Sequence, residues 1–369
     1  MRWLILIVLF VAGVGASVFI SGHIRKPQNA QTPAAQSRQT APSPSPAQSL
    51  DSTTLQTVFV PAWQLDGRNL SFPDIGFSSG APQRMVYFGV AVNKDGIDKE
   101  DQGYQNLSLF IEKAPSDIRK YLAVRMTDQK ANAEILANAD SYDTIVQDVI
   151  STTKAKGFEG IVVDLEFSPT LNEKLPAQIN SFVEKFYNAA HRENLKLAIT
   201  VYGDTFYRRR PYDIAYLDKV TDEMMIMAYD LHKAGGEPGP NFPLKGKRNF
   251  GYDMETLAAD IAGVSADKLT IIYGMYGYDW LVDERQRPIR PATSITVAEI
   301  DKNFLGECKD LNCLSRRDKE AGENQIEFVD KQAQYHILWY EDMESVQSKA
   351  EFWRSRGVGS VAFWAYGYF

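Results

Sequence analysis

Residues 157–167 read Gly157-Phe-Glu-Gly-Ile-Val-Val-Asp-Leu-Glu-Phe167, a short branched and aromatic run with two acids near its end. Side chains alternate across a β-strand, so Ile161, Val163, Leu165 and Phe167 share one face while Val162, Asp164 and Glu166 share the other. The first set suits packing beneath helices, and the second points to the axis of a closed sheet. Similar runs occur at Val58–Trp63, Met85–Val92, Tyr121–Met126, Leu195–Tyr202, Glu223–Tyr229, Leu269–Met275 and Ser360–Tyr366, which with Ile161–Phe167 makes eight. Between them, Ile145, Val146, Val149 and Ile150 ahead of Gly157, and Ile179, Phe182, Val183, Phe186 and Ala190, follow the 3.6-residue helical period. Val346, Ala350 and Trp353 do the same, with Asp342 as N-cap and Gly357 as stop. Strands alternating with helices predict a parallel sheet, and eight over about 310 residues predict an α/β fold of the (β/α)8 TIM-barrel type. An open doubly wound sheet is the runner-up, although no glycine-rich phosphate loop follows the first strand.

Outside residues 55–369, which should form the barrel, the chain changes character. Residues Leu4–Ile20 are apolar or small, preceded by Arg2 and followed by Arg25 and Lys26. This stretch within residues 1–26 reads as an uncleaved signal anchor or as a signal peptide ending near Val14-Gly15-Ala16. Residues 27–54 are rich in Gln, Pro, Ser, Ala and Thr and cannot bury enough apolar surface to offset chain entropy, so they read as a disordered tether. An anchor, a tether and a folded body suit a protein held off a membrane while it reaches a polymer.

The 369 residues are 44% hydrophobic and 24% charged, which is globular composition and excludes a polytopic membrane protein. Beyond residue 54 the chain carries 36 basic and 46 acidic residues, a net of −10 that argues against a nucleic-acid partner. Only Cys308 and Cys313 are present, too few for a disulfide scaffold or a cysteine-built zinc site. They sit between the seventh and eighth strand runs, where a small insertion is expected, and could close one loop in an oxidising compartment. No metal is expected, because no His or acid pair with ligand spacing accompanies them.

Barrel chemistry collects at the C-terminal ends of the strands. Asp164 and Glu166 there are costly to bury and repel each other, so at least one carboxyl should hold its proton to a higher pH. A protonated Glu166 beside an ionised Asp164 is a general acid; the alternative is a structural acid pair satisfied by Arg, Tyr or backbone donors.

Here the sequence resembles a known family. Glu159-Gly-Ile-Val-Val-Asp-Leu-Glu166 is similar to the fourth-strand pattern Asp-x-x-Asp-x-Asp-x-Glu of glycoside hydrolase family 18, and Met227-Ala-Tyr-Asp230 resembles its Met-x-Tyr-Asp. Tyr276-Gly-Tyr-Asp-Trp280, Tyr335-His-Ile-Leu-Trp-Tyr-Glu-Asp342 and Phe363-Trp-Ala-Tyr-Gly-Tyr368 are similar to the branch that holds spore-cortex and peptidoglycan N-acetylglucosaminidases. The resemblance implies cleavage of β-1,4 bonds beside N-acetylglucosamine, in peptidoglycan or chitin, by retaining, substrate-assisted catalysis without a cofactor. It implies that Glu166 is the acid/base, that Asp164 orients the acetamido group, that Tyr229 donates to its carbonyl and that Trp364 floors the sugar. Asp230, Tyr276, Tyr278 and Trp63 are further substrate-binding candidates, Asp230 equally as a holder of loop backbone, and the two tyrosines equally as packing. Glu159 and Val162 depart from the pattern, and Val162 leaves Asp164 without its family partner. Rival readings are a glycan-binding, lectin-like barrel without catalysis and a conventional two-carboxylate glycosidase pairing Glu166 with Asp230. Arg208-Arg-Arg210 reads as a solvated run that could instead meet muramyl or peptide carboxylates, and His191 and His232 have no recognisable triad partners. An extracytoplasmic monomer, secreted or anchored to the membrane through its N-terminal helix, completes the expectation.

Overall fold

The computed structural model describes residues 54–65, 82–170, 172–305 and 313–369. The expected apolar helix and all of the tether but Thr54 lie outside these residues, and no helix among the described residues is long and apolar enough to cross a membrane. Thr54 itself is buried, and its hydroxyl accepts a hydrogen bond from Arg354 at 3.0 Å.

The barrel strands are β1 (Leu55–Pro61), β2 (Arg84–Asn93), β3 (Arg119–Met126), β4 (Gly160–Leu165), β5 (Lys196–Tyr202), β6 (Glu223–Ala228), β7 (Leu269–Gly274) and β8 (Ser360–Trp364). They pair in parallel in chain order, and β1 pairs with both β8 and β2, which closes the sheet. Each predicted run overlaps one of these strands, and the doubly wound alternative is excluded by the closure. The alternation read on β4 holds: Ile161, Val163, Leu165 and Phe167 pack with the helix-facing core, whereas Val162 packs inside the barrel with Phe59, Phe88, Ala198, Met225 and Ile272. Across the barrel floor Arg84 donates to both carboxylate oxygens of Glu223 at 2.6 Å, joining the non-adjacent strands β2 and β6.

The three predicted helices form as α1 (Asp140–Ala155), α2 (Leu175–Arg192) and α3 (Met343–Arg354). Gly157 and Gly357 terminate α1 and α3 at φ 72° and 88°, a left-handed backbone that costs glycine little. Asp342 caps α3 by accepting from the Ser345 amide at 2.8 Å.

The insertion between β7 and β8 is a five-stranded antiparallel sheet rather than a small loop. Its spatial order is Thr293–Thr296, Tyr276–Val282, Tyr335–Tyr340, Asn324–Val329 and Leu314–Arg317. One face carries Tyr276, Tyr278, Trp280, Ile337 and Trp339 and packs toward Tyr229 and Trp364 at the barrel mouth. The other carries Ile326, Phe328, Leu338 and Tyr340 and is covered by Ile300 and Phe304. Cys313 at its edge is disulfide-bonded; Cys308, the chain's other cysteine, lies outside the described residues.

A fully buried ionic cluster ties this sheet to the barrel. Lys349 on α3 donates to Glu323 at 2.6 Å and to Glu341 at 2.5 Å, with all three side chains inaccessible to solvent. Burial pushes Glu341 up to about 8, so it carries the proton that leaves one cation facing one anion. Glu323 also accepts the backbone amides of Asn241 and Phe242 at 2.6 and 2.8 Å. Removing the cation strands buried acids, so Lys349→Ala should lower the unfolding free energy by about 3–5 kcal/mol in chemical denaturation. An unchanged denaturation midpoint would contradict this account of how the insertion is held.

Candidate active site

Inward-facing positions of β4 and β5 build the centre of the site. Asp164 is buried, and its Oδ1 accepts from the Thr200 hydroxyl at 2.5 Å, whereas Oδ2 has no hydrogen-bond partner among the described residues. Loss of hydration raises its pKa to about 7, the Glu166 charge adds to that rise, and Thr200 and Arg125 oppose it. Val162, one inward position below, offers only methyl groups where the family pattern has an acid.

Glu166 stands just past the end of β4. Its backbone amide donates to Met126 at 2.9 Å and its carbonyl accepts from Asn132 at 3.0 Å, so the main chain is fixed on both sides. Its Oε2 accepts from the Tyr202 phenol. Burial raises its pKa first, against the lowering effects of Tyr202, Arg210 and Lys233. Both carboxyls therefore hold their protons to higher pH than an exposed acid, Asp164 to about 7, and each influences the titration of the other.

Tyr229 is half-buried at the end of β6, and burial, then the charges of Asp164 and Glu166, hold its phenol protonated. It is thus a hydrogen-bond donor beside two carboxylates. Asp230 has φ 59°. Its amide donates to the Asn241 side chain at 2.8 Å, and its Oδ1 accepts from Tyr276 and, at 2.8 Å, from Tyr278. Both tyrosines are buried, so their hydroxyls lock the insertion sheet to the barrel mouth.

Aromatic rings form the opposite wall. Trp364, at the end of β8, lies edge-on to Phe88 at 4.8 Å and 6.2 Å from Trp63 between ring centroids. Trp63, on the turn after β1, is 56% exposed, as an indole available to a ligand must be. The structure thus brings Trp63, Trp364, Asp164, Glu166, Tyr229 and Asp230 to one end of the barrel, with Tyr276 and Tyr278 behind Asp230. No cluster of three or more His, Cys, Asp or Glu side chains suited to a metal occurs among the described residues.

The arginine run departs from the solvated reading. Arg210 is buried, donates to Asp204 at 2.5 and 3.0 Å and to the Phe167 carbonyl at 2.7 Å, and lies 3.6 Å over the Tyr202 ring. Arg208 also pairs with Asp204, and only Arg209 is exposed. Thr200, Tyr202 and Arg210 escaped the sequence reading. Applying the β4 alternation to β5 places Ala198, Thr200 and Tyr202 inward and would have found two of them.

Because a folded-state pKa raised above the unfolded value binds extra protons, Asp164 stabilises the protein at low pH and that contribution is lost as pH rises to about 7. Relative to Asp164→Asn, the wild type should lose about 2–3 kcal/mol of unfolding free energy between pH 5 and pH 8. Parallel pH profiles for the two proteins would refute the raised pKa.

Comparison with known proteins agrees with this geometry. Residues 96–368 match the profile of glycosyl hydrolases family 18. YdhD of Bacillus subtilis, described as a sporulation-specific glycosylase, is 25% identical over 234 residues, which cover 63% of this chain and 52% of YdhD. Mouse chitotriosidase-1 is 26% identical over 286 residues, covering 71% of this chain and 60% of the relative. The crystal structure of the Bacillus cereus spore cortex-lytic enzyme SleL superposes with a TM-score of 0.66 at 17% identity, covering 86% of this chain and 71% of SleL. The chain spans about half the length of YdhD. With three-quarters of its length matched by one profile and its acids at the strand ends, the chain belongs to glycosyl hydrolase family 18.

Proposed function

We propose that the chain hydrolyses β-1,4 bonds next to N-acetylglucosamine in peptidoglycan, with chitin-type glycans as the second candidate, by a retaining mechanism in which the substrate's acetamido oxygen is the nucleophile. The observation that carries this reading is the adjacent acid pair, buried Asp164 and half-buried Glu166, beside the protonated phenol of Tyr229. Glu166, held by Tyr202, protonates the leaving oxygen. Asp164, in its ionised form, faces the positive charge that develops on the acetamido-derived ring, and Tyr229 donates to the acetamido oxygen. Glu166 then takes a proton from the water that opens the ring, which restores both partners. Trp364 offers its face to the apolar side of the sugar.

Relatives named for cortex lysis and for chitin cleavage support the two substrate classes. The disulfide at Cys313 suits an oxidising, extracytoplasmic setting, and the apolar stretch Leu4–Ile20 is consistent with tethering to a membrane. A purely lectin-like role leaves the raised pKa of Glu166 without a use.

Purified protein should release new reducing ends from peptidoglycan or N-acetylglucosamine oligomers with the anomeric configuration retained, and should leave cello-oligosaccharides, which lack the acetamido group, intact. Glu166→Gln should lower kcat by about 10²–10⁴-fold while glycan binding persists. Cleavage of cello-oligosaccharides would point to a conventional carboxylate nucleophile, and full activity of the variant would remove Glu166 from the mechanism.

A further inference from the structure

A recess opens on the segment that follows Asp230 in the chain. It measures about 320 Å³ and is lined by Tyr207, Arg208, His232, Lys233, Glu237 and Phe250, from the segments that follow β5 and β6. Its walls are fixed: Tyr207 stacks on Tyr252 at 5.2 Å, and Phe250 lies edge-on to both His232 and Trp339 at 6.0 Å. His232 donates from Nδ1 to the Pro240 carbonyl at 2.9 Å, and burial lowers its pKa, so it adds no charge at neutral pH.

The charges around the recess do not cancel. Asp204 is shared by Arg208 and Arg210, so one carboxylate answers two guanidinium groups. Glu237 is the other carboxylate of the lining, and Arg287, whose charge reaches it, is itself paired with Asp283 at 2.6 Å, so Arg208, Arg210 and Lys233 face Asp204 and Glu237 with one cation in excess. Lys233 is exposed and makes no ion pair within 4 Å among the described residues, while its charge is felt at both Glu166 and Asp230. Aromatic faces with a surplus cation whose charge reaches Glu166 suit a sugar that carries an anionic substituent.

We propose that this recess is a subsite for a carboxylate-bearing sugar, with Lys233 and Arg208 receiving the carboxylate and Tyr207 or Phe250 receiving the ring. The proposal rests on the glycosidase reading above and refines it: the lactyl ether carboxylate of muramic acid is such a substituent, and chitin has none. It makes the recess, rather than the catalytic carboxylates, the element that separates the two polymers.

The test uses Glu166→Gln protein, so that binding is read without turnover, and two ligands: an N-acetylglucosamine–N-acetylmuramic acid tetrasaccharide and the same tetrasaccharide with its carboxyls reduced to alcohols. Calorimetry should show the carboxylated ligand binding at least fivefold more tightly, and adding Lys233→Glu should abolish that preference. Lys233→Arg should retain it, which a merely structural role for the lysine does not require. Equal affinity for both ligands, or a preference that survives Lys233→Glu, would overturn the subsite. Hydrolysis of the same ligands by protein retaining Glu166 is scored separately: carboxylate-dependent binding without cleavage would sink the hydrolase reading and leave the subsite standing.

Discussion

A carboxylate at the inner mouth of a barrel loses hydration, and two stand there together, Asp164 buried on β4 and Glu166 half-buried just past its end. Neither the Thr200 hydroxyl on one acid nor the Tyr202 phenol on the other restores what water supplied, and both acids hold protons to higher pH than an exposed carboxyl. The cations nearby act by degree. Arg125 favours the ionised form of Asp164, while Arg210 and Lys233 do so for Glu166. In most inward positions of the barrel a polar group would be a defect, and the apolar plug of Val162, Met225 and Ile272 shows what the interior otherwise prefers. The acids persist where stability alone would have selected against them, which is the signature of a site.

The same site depends on a sheet that is not part of the barrel. Lys349 pulls on Glu323, Glu323 fixes the Asn241 and Phe242 amides, and Asn241 fixes the Asp230 amide. Asp230 in turn receives the hydroxyls of Tyr276 and Tyr278 from the insertion. A buried ion cluster therefore sets the position of residues at the barrel mouth through a chain of direct hydrogen bonds. Its desolvation is expensive, and what it supplies is one fixed docking of the insertion over the barrel mouth rather than net stability.

Most of the barrel was legible because its signals are local and periodic. Alternation on β4 and the 3.6-residue pattern of α1, α2 and α3 required no knowledge of distant residues, and Gly157, Gly357 and Asp342 marked their ends. The insertion was not legible as a sheet. Tyr276, Tyr278 and Trp280 do alternate, but the central strand they pair with lies dozens of residues away, and aromatic side chains in a short run read equally well as a lined loop. Arg210 was misread for a related reason: three consecutive arginines look solvated unless the fold brings an acid and an aromatic ring to one of them, as Asp204 and Tyr202 are brought here. Lys233 and Arg208 line one recess only because the segments after β5 and β6 converge. Contacts of this kind depend on topology and leave no spacing in the chain.

The central claim is that Asp164, beside Glu166, holds its proton far above the ordinary carboxylate range. Carboxyl carbon-13 NMR of aspartate-labelled protein, with Asp164→Asn used to assign the resonance, reads this directly. The account predicts that the Asp164 signal titrates with a midpoint near 7 and that Glu166→Gln, by removing the neighbouring charge, moves the midpoint down. A midpoint close to the ordinary aspartate value of 3.8, unmoved by the neighbouring substitution, would contradict it.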